Sequence, residues 1–494
     1  MSNDVQTQKG HPKGLYVLFF TEMWERFSYY GMRALLVLYL TAELINGGFG
    51  LIRENALEIY AIFTFMVYLT PIIGGILADK LLGQRKTIFI GAITMAMGQF
   101  SLAASVIADT PDMRLNLLYY GLAILIVGNG FFKPNISTMV GSLYNEGDPR
   151  KDSAFTIFYM GINLGAFFSP LVCGTLGEIY GWEYGFGMAG IGMLVGTLWF
   201  LFQGNVLGNV GYAPKNIDET KSYSAKDWID VAIYVIGIAI LCLIFVVVWF
   251  DIPENIQNII IYSLAGIGLA GLMYTIAVGT KGKTEWSRVG VIIILAVFNL
   301  IFWSGFEQAG GTFNLFAAEN TDRMLLGWEI PASYFQSINA IAIFAIAPIF
   351  SIMWVALDKI GKNPRTTIKF ALALILLSLG FFVMAAAKGF AADGLVSPFW
   401  LVGVYLLHTL GELAISPIGL SMITKLSPTK IVSAMMGVWM ASIAFGNLLA
   451  GIMESILHSF GMELYSFIAL EGLIAAGLLI ILSPFLNKMM KGIH

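Results

Sequence analysis

Residues 21–33 read TEMWERFSYYGMR and lie inside the first apolar segment of the chain. This stretch puts two carboxylates and two guanidinium groups at membrane depth, where each charge costs about 3 kcal/mol on insertion scales. At about 100° per residue, one helical face about 100° wide carries Glu22, Glu25, Arg26, Tyr29 and Arg33. Because such charges face a cavity rather than lipid, the stretch predicts a membrane helix with one functional face.

The composition of the whole chain is that of a membrane protein. Of the 494 residues, 57% are hydrophobic and only 12% are charged, whereas soluble domains carry about 25% charged residues. The net charge is only −3, and no basic run is long enough to follow a phosphate backbone. We therefore predict an all-α polytopic membrane protein that contacts membrane lipids and no nucleic acid.

Apolar segments long enough to cross about 30 Å of hydrocarbon occur fourteen times. They lie near 14–43, 56–79, 87–107, 115–143, 154–180, 184–203, 228–250, 256–279, 288–318, 331–357, 366–387, 397–425, 431–457 and 464–484. With the N-terminus inside, most of the 28 basic residues fall in inside loops, so both termini are expected in the cytoplasm. The expected location is the cell (plasma or inner) membrane.

The polar breaks divide the chain into three parts. Residues 1–205 form a six-helix bundle, 206–286 a linker with two additional helices, and 287–494 a second six-helix bundle. The additional helices carry no ionisable residue in their cores and read as lipid-facing. Two six-helix halves around a central cavity are a transporter architecture.

Seven charged residues lie within the predicted helices: Glu22, Glu25, Arg26, Arg33, Lys133, Glu307 and Glu412. They are either structural ion pairs between helices or the walls of a functional cavity, and their number on both halves favours the cavity. The four carboxylates outnumber the three cations by one. A buried carboxylate without a counter-charge takes up a proton rather than stay ionised, which is what a proton-coupled carrier requires.

The spacing of Glu22 and Arg26 allows an ion pair within the first helix. That pair is either a static salt bridge or a switch whose opening frees Glu22 to bind a proton. Arg26 and Lys133 on the first half suit a substrate carboxylate, and Glu412 on the second half suits an ammonium group. Candidate lining residues on the same helices are Tyr29, Tyr30, Tyr68, Asn163, Trp303, Gln308, Asn339 and Trp439.

Four stretches resemble motifs of the proton-dependent oligopeptide transporter family of the major facilitator superfamily. They are EMWERFSYYG at 22–31, GNGFFKPN at 128–135, FYMGINLG at 158–165 and GELAISPIG at 411–419. They occur in both halves and in the order of the family. The two additional helices are similar to those of its bacterial, fourteen-helix branch.

The resemblance implies a major facilitator fold and a symporter that imports di- and tripeptides with protons by alternating access. It implies proton coupling at Glu22, Glu25, Arg26 and Glu307, with no cofactor beyond the coupling proton. Arg26, Arg33 and Lys133 would contact the peptide carboxylate and Glu412 its amine, while Tyr30, Tyr68, Asn163, Asn339 and Trp439 would line the pocket. Glu307 would pair with Arg33 or Lys133 as the outer side closes.

Two departures from the family pattern affect this expectation. Some relatives carry a second acid just before the position of Glu307, where this chain has Phe306, and mammalian relatives use a histidine in the second helix, which is absent here. Coupling would therefore depend on carboxylates.

Peptide-like drugs are expected as further substrates, and the protein is expected to act as a monomer.

Three other functions fit the sequence less well than peptide transport. A carrier of the same superfamily for an anion such as nitrate would need the cations but would leave Glu412 without a role. A membrane-embedded enzyme would need a catalytic motif such as HExxH, GxSxG or paired aspartates, and the sequence has none at membrane depth. A channel would need a pore-lining polar stripe, which no single helix repeats.

Overall fold

The computed structural model describes residues 10–71, 78, 82–145, 148, 150–212 and 273–491, with isolated residues 225, 226, 229, 232, 233, 236, 237 and 240. The two additional helices predicted near 228–250 and 256–279 fall largely outside the described residues. Half of residues 75–86 and Cys242 also lie outside them.

The described chain is almost entirely α-helical. The helices are α1 Lys13–Thr41, α2 Arg53–Leu69, α3 Gln84–Ile107, α4 Pro111–Ser142, α5 Lys151–Thr175, α6 Trp182–Phe202, α7 Gly282–Phe306, α8 Thr312–Asn320, α9 Ser337–Lys359, α10 Thr366–Ala391, α11 Phe399–Leu426, α12 Val432–Ser459 and α13 Leu464–Met490. A π-helical turn, Leu176–Tyr180, extends α5, and 3₁₀ turns occupy Leu44–Asn46, Gly204–Leu207, Glu307–Gly310 and Ala332–Gln336. The strands β1 Met324–Leu325 and β2 Trp328–Glu329 pair antiparallel.

Ten helical segments of the described chain are long and apolar enough to span a membrane. Helix α1 reaches that length but carries the charged stretch, and α2 has 17 residues. Together these segments match twelve of the fourteen predicted helices. The protein is therefore an all-α polytopic membrane protein, as predicted.

One predicted helix is interrupted. The sequence predicts a membrane-spanning segment near 288–318, within which α7 ends at Phe306 and is followed by a 3₁₀ turn before α8 begins. Gly310 and Gly311 follow one another here, and Gly311 adopts φ −111° and ψ −98°, outside the helical region. Because glycine costs about 1 kcal/mol relative to alanine inside a helix, the pair favours this break within the span Gly282–Asn320.

The described residues pack as two compact units. The first contains the described parts of Met1–Met32, Thr70–Leu176 and Glu183–Cys242, and the second those of Arg33–Leu69, Gly177–Trp182 and Leu243–His494. The predicted domain boundaries at 205/206 and 286/287 stay a prediction.

In the first unit, α3 and α4 meet through glycines. A Cβ on Gly91 would lie 2.7 Å from the Gly128 carbonyl oxygen, and one on Gly98 would lie 2.9 Å from that of Gly121. Small residues at two levels therefore let the helix backbones touch, which is how helices associate where lipid replaces water. This contact holds the middle of α4, and with it Asn129, beside the rest of the unit.

In the second unit, α2 packs against α12 in the same way. A Cβ on Gly451 would lie 2.5 Å from the Leu57 carbonyl oxygen. The close contact fixes the depth of α2, and so the position of Tyr60 one turn further along.

Candidate functional site

The first group of buried charges surrounds Arg26 and lies wholly in the first unit. This Arg26 cluster consists of Glu22, Glu25, Arg26 and Asn129, all almost fully buried. Arg26 Nε lies 3.2 Å from Glu22 Oε1 and also donates to Glu25, while Arg26 Nη2 donates to Glu25 Oε1 at 2.8 Å. Asn129 Nδ2 donates to the same Glu25 oxygen at 3.3 Å.

The two acids of the Arg26 cluster are held unequally. Both oxygens of Glu25 contact Arg26, so this carboxylate is neutralised by a two-point ion pair. Glu22 offers only Oε1, and its buried Oε2 has no hydrogen-bond partner among the described residues. Glu22 is therefore the less tightly held acid of the pair, with one carboxylate oxygen that forms no hydrogen bond to a described residue.

Other predicted residues of the first unit lie around this cluster. The Arg26 guanidinium carbon is 5.4 Å from the centre of the Tyr29 ring, which is buried and meets Tyr30 edge to face. Lys133 is half-buried on α4 and is an electrostatic neighbour of Glu22. Asn163 is buried on α5 and donates to the Tyr159 carbonyl at 2.9 Å.

The second group, the Arg33 cluster, consists of Arg33, Tyr60 and Glu307 and lies in the second unit. Arg33 Nη2 donates to Glu307 Oε2 at 2.5 Å, and Arg33 Nε donates to the Tyr60 hydroxyl at 2.6 Å. The guanidinium thereby joins the last turns of α1 to α2 and to the 3₁₀ turn after α7. Of the two partners that the family resemblance offered Glu307, the structure brings Arg33 to it.

Gly310 makes the Arg33 cluster possible. A Cβ at this position would lie 1.9 Å from the Tyr60 hydroxyl and 2.7 Å from Arg33 Nε. Any side chain here would displace both groups. The glycine that ends the 3₁₀ turn therefore also leaves room for the buried ion pair.

The third group, the Glu412 cluster, consists of Asn339, Thr409 and Glu412, also in the second unit. Asn339 Nδ2 donates to Glu412 Oε2 at 2.9 Å and lies 3.0 Å from Thr409 Oγ1. Glu412 is 8% exposed and forms no salt bridge with any described residue. An amide therefore orients this buried carboxylate without neutralising it.

The remaining predicted residues of the second unit are placed individually. Tyr68 is half-buried on α2, and half-buried Trp303 donates from Nε1 to Asn299 Oδ1 at 3.1 Å. Trp439 is buried on α12 against Gly419 and the Phe370 ring. The amide of Gln308 donates to the Ala450 carbonyl and accepts from Thr312, so it serves packing.

Sequence reasoning missed three contributors to these clusters. In the sequence, nothing distinguishes Tyr60 from the other aromatic residues of an apolar helix, or Thr409 from other helical threonines. Asn129 stands between two glycines in the middle of a membrane helix. That amide at membrane depth was the one available signal, since a buried amide requires partners.

Comparison with known proteins covers nearly the whole chain. The sequence model described as "POT family" matches residues 85–468. The chain belongs to the POT family. This confirms the family resemblance of the four motifs and makes the protein a membrane transporter rather than an enzyme.

Two relatives and one solved structure illustrate the similarity. The peptide transporter YePEPT of Yersinia enterocolitica is 38% identical over 98% of this chain and 96% of its own length. A di-/tripeptide transporter of Lactococcus lactis is 36% identical over 89% of each chain. A crystal structure of a mutant peptide transporter POT in complex with alafosfalin matches with a TM-score of 0.84, 35% identity and 98% coverage of both chains. The POT fold, of the major facilitator type, therefore extends through the chain.

Proposed function

We propose that this POT family protein is a proton-coupled symporter that imports di- and tripeptides across the cell membrane. The names of the relatives in Yersinia and Lactococcus support peptides as the substrate class. The complex of a solved relative with alafosfalin extends the expected substrates to peptide-like drugs.

One observation carries the proposal: the Glu412 carboxylate is buried and forms no salt bridge with a described residue. The Arg33 cluster is balanced, because Arg33 and Glu307 neutralise each other. Glu412 has only the amide of Asn339 as a donor among the described residues. Burying an unpaired carboxylate is costly, so a ligand that brings a positive charge is stabilised there. The free amino terminus of a peptide is such a group.

The cations of the first unit have the chemistry to bind the carboxylate end of a peptide. Lys133 is half-buried, and its ammonium suits the peptide carboxylate. Arg26 is held by two acids, so a substrate carboxylate that engages Arg26 competes with Glu22 for the guanidinium. The weaker, single contact of Glu22 is the one that yields first.

This competition supplies the coupling step. When Arg26 turns to the substrate, Glu22 loses its salt bridge to Arg26 and binds the proton. Its Oε2 already has no hydrogen-bond partner among the described residues. When the substrate leaves, Arg26 returns and Glu22 releases the proton. Substrate and proton then move together, and no cofactor takes part.

Uptake into proteoliposomes tests the proposal. Vesicles that hold the protein should accumulate labelled dialanine when the outside is acidic and the inside negative, and a protonophore should abolish the accumulation. Vesicles without protein are the control. Accumulation that ignores the proton gradient or requires sodium would contradict coupling, and uptake of nitrate instead of dialanine would identify an anion carrier.

A further inference from the structure

The hairpin β1–β2 carries an unusual turn. Leu325 pairs with Trp328, so Leu326 and Gly327 form a two-residue loop in which both have positive φ, 52° and 81°. Such a loop favours asparagine followed by glycine, because asparagine tolerates the left-handed region and leucine does not. The chain therefore places an apolar side chain at the tip against the local backbone preference.

The tip is apolar as well as strained. Leu326 is fully exposed at 101%, and the side chains of Met324, Leu325 and Trp328 are also exposed. Below them the hairpin is closed by polar contacts: Arg323 Nη2 lies 2.7 Å from Glu329 Oε1, and Arg323 Nη1 donates to the Ile330 carbonyl at 2.8 Å. The polar contacts of Arg323 therefore hold the strands of the hairpin together, and its tip exposes apolar side chains.

An apolar groove lies beneath the hairpin. Its cavity of about 290 Å³ is lined by Leu325, Tyr334, Phe335, Ile338, Phe399 and Val402, among others. Ile338 begins a row on α9 that continues through Ile341, Ile349 and Ile352, residues that share one helical face. The last three are at least half exposed. The groove is therefore continuous with this exposed, apolar face of α9, which would contact lipid in a membrane.

The depth of the groove follows from the length of the membrane span formed by the 3₁₀ turn Ala332–Gln336 together with α9. The span Ala332–Lys359 has 28 residues, or about 42 Å of helix, against about 30 Å of hydrocarbon. About 6 Å at each end therefore lies in the interface. Ile338 is about 10 Å from the outer end of this span and therefore reaches the depth of the acyl chains. Trp328 and Tyr334 are in edge-to-face contact, and their side chains are of the type that forms the interfacial aromatic belt.

We propose that the β1–β2 hairpin is an interfacial anchor whose tip enters the outer leaflet, with a phospholipid acyl chain in the groove beneath it. The continuity of the groove with the lipid-facing row of α9 selects lipid as the occupant. The exposed leucine in a position suited to asparagine is explained because insertion removes it from water.

Fluorescence quenching in vesicles of phosphatidylethanolamine and phosphatidylglycerol tests this anchor. In a background without Cys173 and Cys242 that retains transport, bimane is attached to Leu326→Cys. Two calibrators bracket the result: Asp109→Cys in an exposed polar loop and Ile352→Cys on the lipid-facing row. The quenchers are aqueous iodide and a lipid with a nitroxide near the start of its acyl chain.

The label at 326 should be quenched by the nitroxide lipid nearly as strongly as the label at 352, and by iodide several-fold less than the label at 109. Quenching by iodide as strong as at 109 would overturn the anchor. Protection from both quenchers would also overturn it, because another protein surface would then cover the tip.

A second variant tests the role of the leucine itself. Leu326→Asn suits the turn but is polar, so a bimane at Met324→Cys should become several-fold more accessible to iodide in this background. Unchanged accessibility would show that the tip leucine does not drive insertion.

Discussion

Arg33 Nη2 lies 2.5 Å from Glu307 Oε2, and this buried contact joins the last turns of α1 to the turn that follows α7. A buried ion pair is costly to break from one side, because the remaining charge is left without a partner. Arg33→Gln or Glu307→Gln alone should lower the free energy of unfolding by about 3–5 kcal/mol. Chemical denaturation in mild detergent measures this change.

The double variant provides the control for that prediction. Arg33→Gln with Glu307→Gln should cost less than the sum of the single changes by about 1–3 kcal/mol. The exposed pair Lys388–Glu463, 3.2 Å apart, should show a coupling below about 1 kcal/mol. Additive losses at Arg33 and Glu307 would show that the two charges do not interact.

Tyr60 should matter through its hydroxyl group. Tyr60→Phe removes the acceptor of Arg33 Nε and keeps the ring, so it should lower the free energy of unfolding by about 1.5–3 kcal/mol. Tyr180→Phe, at an exposed tyrosine, should change it by less than about 0.5 kcal/mol. Equal effects of the two changes would remove the assigned role of Tyr60.

Much of this arrangement was predictable because charge at membrane depth is rare. The sequence alone singled out Glu22, Arg26, Arg33, Glu307 and Glu412, and the spacing of Glu22 and Arg26 predicted their contact. Which acid pairs with Arg33 depends on how distant helices pack, and no periodicity within one helix contains that information.

The neutral partners could not be predicted for a different reason. Tyrosine and threonine are common in membrane helices, so the residue type at Tyr60 and Thr409 does not distinguish a polar contact from packing. Gly310 reads as a helix breaker, which it is. Its second role, leaving space for Arg33 and Tyr60, depends on a contact that only the folded chain creates.

Glu412 should recognise the amino end of the substrate. Glu412→Gln should weaken binding of a free-amine dipeptide about 10- to 100-fold, the value of a hydrogen bond between charged groups, and N-acetylated dipeptide far less. Competition against labelled dialanine measures both affinities. Glu471→Gln on α13, at a half-buried acid whose Oε2 has no hydrogen-bond partner among the described residues, is the matched control and should preserve the difference between the peptides. Equal loss for both peptides in Glu412→Gln would exclude contact with the amine.

Glu463 should make stability depend on pH. Burial acts to raise the pKa of Glu463, but the backbone N–H groups of Ser466 and Tyr465 and the nearby Lys388 ammonium hold the pKa below its ordinary value. A lowered folded-state pKa stabilises the fold above the unfolded value of about 4.3, and this contribution is lost as pH falls through the folded-state pKa.

Glu463→Ala should therefore lower the thermal midpoint at pH 7, by an amount equivalent to about 1 kcal/mol for a helix cap. The difference from the parent should shrink as the pH falls below about 4. Thermal unfolding of both proteins across this range measures it. A difference that stays constant with pH would mean that the charge of Glu463 does not contribute.

The coupling role of Glu22 is tested most directly by comparing two modes of transport in one variant. Glu22→Gln keeps the shape of the side chain but cannot exchange a proton. In proteoliposomes it should retain counterflow exchange of labelled dialanine close to that of the parent, while uptake driven by an inward proton gradient is lost. If exchange and proton-driven uptake fell by the same factor, Glu22 would be a structural or substrate-binding residue, and the proposed coupling step would be wrong.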